Sequence, residues 1–112
     1  MTAPPLDRIQ GTLDMLILKT LLLRSMHGWG ISHHIRQSSQ EILQVNQGAL
    51  YPALHRLEDR GWVDAEWGVS ESNRRARFYS LTAEGRRQLA RETESWLEFV
   101  RAVHRVMQLA PA

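Results

Sequence analysis

The sequence predicts a mainly α-helical chain that carries one β-hairpin and ends in a long helix. Three patterns lead to this reading. Apolar residues recur at helical spacing through the first half of the chain. Two short alternating stretches, "WVDAEW" and "RFYSL", flank a polar segment rich in arginine. After them Leu89, Thr93, Trp96, Val100, Val103 and Met107 follow at steps of 4, 3, 4, 3 and 4 residues, a heptad seam with one polar member.

Residues 1–5 read as a floppy lead. From about residue 8 to 25, Ile9, Leu13, Leu16, Ile17 and Leu21 form a helical stripe, and Met15, Leu18, Leu22 and Leu23 fill most of the remaining circumference. A helix apolar nearly all round is covered on more than one side. One face is therefore expected against its own domain and another against a second subunit. "MHGWG" interrupts the pattern with two glycines, and a second helix is expected over about residues 30–39, with Ile31, His34 and Ile35 inward.

"EILQVNQG" leads into a third helix whose Leu50, Leu54 and Leu57 make one buried stripe. Pro52 has no N–H for a helical carbonyl, so a position beyond the first turn costs about 3 kcal/mol. Proline avoidance therefore puts the helix start near Gly48 or Ala49, with Asn46 and Gln47 in the turn, and Gly61 as a left-handed cap at the end.

In the hairpin, Val63, Ala65 and Trp67 share one face against Asp64 and Glu66. Arg77, Tyr79 and Leu81 likewise oppose Phe78 and Ser80. "GVSESNRRA" between them is expected to be a long flexible tip carrying Arg74, Arg75 and Arg77. Thr82 caps the last helix, which runs to about Leu109. At some two dozen residues it reaches roughly 35–40 Å and overhangs so small a domain. A second chain is needed to cover its seam. The expected division is residues 1–81 for the helices and hairpin, and 82–112 for the dimerisation helix.

Composition narrows the function. A chain of 112 residues is one small domain. It has no cysteine, hence no disulfide framework, thiolate metal site or cysteine nucleophile. The N-terminus lacks the basic-then-apolar pattern of a signal peptide. The most apolar run, residues 13–23, contains Asp14 and Lys19 and is too short to span a bilayer. A soluble, cytoplasmic protein with no membrane partner is expected. The net charge is only +2, but thirteen of the fourteen basic residues are arginine. Arginine suits planar contacts to phosphate and guanine, although a GC-rich genome produces the same bias.

Three short helices followed by a two-stranded hairpin is the order of the winged helix-turn-helix, whose third helix enters the major groove. With Leu50, Leu54 and Leu57 inward, Gly48, Pro52, His55 and Asp59 point outward, flanked by Tyr51 and Arg56. The late start aims backbone N–H groups from Gly48 to Tyr51 at a phosphate. The candidate DNA-binding residues are Gln47, Gly48, Tyr51, His55 and Arg56 on the helix, with Arg74, Arg75 and Arg77 on the wing. Arg56 has a competing use, pairing with Glu58, Asp59 or another acidic neighbour. Asp59 repels phosphate and marks the footprint's edge.

"MHGWGISHHI", "GALYPALHRLEDRGWV" and "RRARFYSLTAEGRRQL" resemble, in order and spacing, the motifs of the PadR family of bacterial transcriptional regulators. The resemblance covers roughly residues 13–89, and the single C-terminal helix is similar to the family's shorter subgroup. It implies a homodimeric winged-helix repressor of double-stranded operator DNA, with the C-terminal helix packed on the partner's N-terminal helix. In some short relatives an aromatic residue on this helix lines a pore at the dimer centre that takes flat, apolar, often cationic molecules. Trp96 stands at that place here, with Met15 and Leu18 approaching from the partner chain. Core packing is the competing role for Trp96.

Other chemistries fit poorly. His33 and His34 are adjacent, so they point about 100° apart on a helix, and no carboxylate stands at ligand spacing beside them. There is no nucleophile motif, paired-carboxylate face or phosphate-binding glycine loop. No enzyme activity, metal or cofactor is expected. The rival class is a winged helix used purely as a protein-interaction module. Such a module needs apolar residues on the outward face of the third helix and has no use for an arginine-bearing wing.

Overall fold

The computed structural model describes the backbone of residues 6–109 and the side chains of residues 11–109. Ile9, the first member of the predicted helical stripe, has its side chain outside that range. The order is α1 (Leu6–Leu23), β1 (Met26–His27), α2 (Gly28–Ser38), α3 (Gln47–Asp59), β2 (Val63–Val69), β3 (Arg75–Leu81) and α4 (Ala83–Met107). The fold is mainly helical with a small antiparallel sheet, ordered β1-β3-β2. It is a winged helix.

The third strand was not legible as one. Met26 and His27 pair with Tyr79 and Phe78, so "MHGWG" is a strand edge running straight into α2. β2 and β3 are longer than the alternation suggested, and Val69 still pairs with Arg75. The irregular tip shrinks to residues 70–74, closed by Ser70 and Arg74 backbone hydrogen bonds and by a left-handed Asn73. Arg75 and Arg77 therefore stand on a strand and not on the tip.

α1 is the spine, packing against α2, α3, α4 and β3. Ile17, Leu18 and Leu21 meet Ile31 and Ile35 of α2, Leu50, Ala53, Leu54 and Leu57 of α3, and Val63, Tyr79 and Leu89 in one core. Each fully buried Leu or Ile contributes roughly 1.5–3 kcal/mol relative to exposure. His34, expected inward, is only half-buried and shares a hydrogen bond with Ser38.

α3 begins earlier than proline avoidance suggested. Asn46 is its N-cap, accepting from the Ala49 N–H through Oδ1 at 2.9 Å, and Gln47 is the first helical residue. Pro52 thus lies in the second turn and leaves the Gly48 carbonyl without its ordinary donor. Pro52 is on the exposed side, where water can serve that carbonyl. At the far end Gly61 takes φ +75°, its N–H reaches the Glu58 carbonyl, and the Trp62 N–H reaches that of Leu57. This paired closure is the glycine cap the sequence suggested.

Thr82 caps α4, its hydroxyl accepting from the Gly85 N–H at 3.0 Å. Leu89 sits in the core of its own chain, but further along Val103, Val106, Met107 and Leu109 are exposed. The 25 helical residues span about 37 Å. That exceeds the two shorter extents of the fold, 29 and 24 Å.

Candidate nucleic-acid interface

The start of α3 faces solvent. Gln47, Gly48, Pro52, His55 and Asp59 are all exposed, while Leu50, Ala53, Leu54 and Leu57 hold the other side to the core. Ala49 and Leu50 direct their N–H groups back to Asn46. The open backbone donors are therefore those of Gln47 and Gly48, the first two helical residues, and not a run from Gly48 to Tyr51.

Tyr51 is 45 % exposed, and its ring lies over the start of α2. A Cβ on Gly28 would sit 2.8 Å from the Tyr51 hydroxyl, so any larger residue there would push the tyrosine ring from its present position. Beyond Tyr51 opens a groove of about 970 Å³. Its walls are Trp29 of α2, Tyr51 of α3, and Trp67, Arg75 and Arg77 on the inner face of the wing.

The three wing arginines have three different situations. Arg74 is exposed at the tip. Arg75 lays its guanidinium over the Trp67 ring, 4.6 Å from the centroid. Arg77 makes two hydrogen bonds to Glu58, at 3.2 and 2.8 Å, and so fastens the wing to the last turn of α3. The wing tip is also tied to α2. His27 caps that helix through Nδ1, which accepts from the Gly30 N–H at 3.0 Å. Its Nε2 lies 3.5 Å from the Glu71 carboxylate.

Arg56 is turned inward. It donates to Asp14 of α1 at 2.9 Å, and Arg60 stands 3.9 Å from the same carboxylate. Burial raises the Asp14 pKa, against the pull of Arg56 and Arg60. The acidic neighbour of Arg56 was thus on another helix. A lone carboxylate in an apolar stretch was its only signal, since a buried charge requires a partner.

His33 stacks on Trp29 with centroids 4.8 Å apart, and among the described residues no cluster of three metal-ligating side chains forms. Trp96 is half-buried with the Phe99 ring 5.9 Å away, and Met15 is partly buried. Leu18 is 0 % exposed inside its own chain. It offers a ligand no surface, which corrects its assignment to a dimer pore. No helix among the described residues is long and apolar enough to cross a membrane.

Residues 17–91 match the Transcriptional regulator PadR-like family. The chain belongs to this family of DNA-binding transcriptional regulators, a family of regulators and not of enzymes. Among solved structures it is similar to a transcriptional regulator from Clostridium thermocellum, with a TM-score of 0.80 and 28% identity over 92% of this chain and 97% of that one. It is also similar to a PadR family transcriptional regulator from Eggerthella lenta, with a TM-score of 0.76 and 26% identity over 94% and 89% of the two chains. An uncharacterised protein of Lysinibacillus sphaericus is 28% identical over 92 residues, covering 82% of this chain and 84% of the relative.

Proposed function

We propose that the chain is a homodimeric, cytoplasmic repressor that binds a two-fold pseudo-palindromic operator and is released by a small molecule. The observation that carries DNA recognition is the polar face of α3, beside a wing whose Arg74 and Arg75 form no ion pair among the described residues. Gln47, Gly48, Tyr51 and His55 project into the major groove, where the N–H groups of Gln47 and Gly48 meet a phosphate. The wing follows into the flanking minor groove, and the groove walled by Tyr51 and Trp67 receives the strand between them. Arg74 and Arg75 supply phosphate contacts. Arg56 and Arg77 orient α3 and the wing through Asp14 and Glu58.

The exposed seam of α4 supports the dimer, because residues 100–109 present apolar side chains that one chain leaves uncovered. Residues 82–112 act as the dimerisation element on a DNA-binding unit of residues 1–81. Trp96, with Met15 from the partner, forms a site for a planar apolar or cationic effector, where an indole contributes stacking and cation–π attraction. Such a ligand derepresses only as far as it prefers the dimer geometry that misplaces one recognition helix.

Footprinting on the DNA upstream of the protein's own gene tests this reading. Two protected half-sites with centres about 10–10.5 bp apart, or a multiple of that, are expected. Binding with no protected sequence, or only to another protein, would instead make this winged helix an interaction module.

A further inference from the structure

Trp67 is an indole the hydrophobic core does not use. It is 60 % exposed and belongs neither to the buried cluster nor to the partly buried residues packed on it. Its place is the inner face of β2, beside the groove between wing and α3. Its ring partner is the Arg75 guanidinium at 4.6 Å. Among the described residues neither Arg74 nor Arg75 forms an ion pair, whereas Arg77 is held by Glu58.

We infer that Trp67 is a positioning residue for DNA binding, which holds Arg75 as a pre-oriented phosphate-binding cation at the edge of this groove. The inference rests on the DNA-binding reading above. A guanidinium is a flat fork, and stacking occupies its face while its N–H edge stays free for two bonds to a phosphate. A free arginine gives up much side-chain entropy when it is fixed on a ligand. A ring that fixes it beforehand removes part of that cost from the binding step. Among the described residues the neighbouring Arg74 has no such ring contact.

The test measures affinity for a short random-sequence DNA duplex at several salt concentrations, for the full chain and its Trp67→Ala, Trp67→Phe, Arg75→Ala and double variants. Trp67→Ala should weaken binding about two- to fivefold, the factor an exposed cation–π contact supplies. It should leave the slope of log affinity against log salt unchanged, because the charge is still there. Trp67→Phe should restore part of the loss. Arg75→Ala should weaken binding and flatten the slope by about 0.9 for each phosphate it no longer neutralises. The double variant should bind no worse than Arg75→Ala alone.

Thermal melting of Trp67→Ala close to that of the unmodified protein would confirm that the loss is not unfolding. Losses that multiply in the double variant, or no loss in Trp67→Ala, would overturn the pairing while DNA binding stands. An unmodified chain that binds no duplex would overturn both.

Discussion

Arg77 and Glu58 meet edge to edge, joining the inner face of the wing to the last turn of α3 by hydrogen bonds of 3.2 and 2.8 Å. Paired guanidinium–carboxylate geometry of this kind fixes orientation as well as adding energy. The wing is therefore set relative to α3 within the single chain, and the Arg77 guanidinium is engaged by Glu58.

The wing arginines should separate in experiment. Arg77→Ala should lower stability by about 0.5–1 kcal/mol, the pair being partly open to solvent. A double-mutant cycle with Glu58→Gln should return a coupling energy of similar size. Arg74→Ala should leave melting unchanged and flatten the salt dependence of DNA binding. A flattening for Arg77→Ala as large as that for Arg74→Ala would place Arg77 on the phosphate instead.

The α4 seam can be attacked without touching the single chain's core. Val100→Asp and Val103→Asp together would place unpaired charge in an apolar interface, which is strongly unfavourable. Since Val103 is exposed in the single chain and Val100 only half-buried, a folded monomer in sedimentation is the expected product. A dimer of unchanged stability would show that another surface joins the subunits.

Tyr51 and Gly28 should behave as one unit. Tyr51→Ala should weaken operator binding about tenfold or more, as removal of a central aromatic side chain does at interfaces. The melting cost should be nearer 1 kcal/mol, because the ring is 45 % exposed. Gly28→Ala keeps the tyrosine but drives a methyl into its hydroxyl, and should also weaken binding. Gly28→Ala with unimpaired binding would mean that the ring's present position is immaterial.

Asp14 gives a pH signature. Folding raises its pKa, because burial outweighs the attraction of Arg56 and Arg60. The folded chain thus holds a proton there more firmly than the unfolded chain does. Its stabilising contribution is complete below the ordinary carboxylate value, about 3.9. It fades as pH rises through the higher folded value. Denaturant unfolding from acid to neutral pH should show the unmodified protein losing ground to Asp14→Asn as pH rises. The opposite trend would mean that the Arg56 ion pair dominates.

Most of the fold was legible because local chemistry and tertiary packing agreed. The Leu50, Leu54, Leu57 stripe, the Gly61 cap, the Thr82 cap and the hairpin alternation all read directly onto observed elements. Where they competed, the reading failed. Asn46 capping and the buried leucines outweigh the hydrogen bond missing at Pro52, so α3 starts earlier than proline alone dictates. β1 is two residues long and exists only because β3 has a free edge, which no period of two residues can announce. The face of α3 followed from helical geometry. The partners of Arg56 and Arg77 did not, since Asp14 and Glu58 reach them from 42 and 19 residues away.

Fluorescence anisotropy of a labelled duplex from the protein's own upstream region, titrated across a range of salt, is the sharpest test of DNA binding by α3 and the wing. Two chains per duplex and a steep negative salt slope are expected. In the Arg74→Ala, Arg75→Ala double variant that slope should flatten by up to about 3.6, for four guanidiniums in a dimer at about 0.9 each. Tight binding by the double variant with its salt slope intact would refute this assignment, because the DNA would then be held by a different face of the molecule.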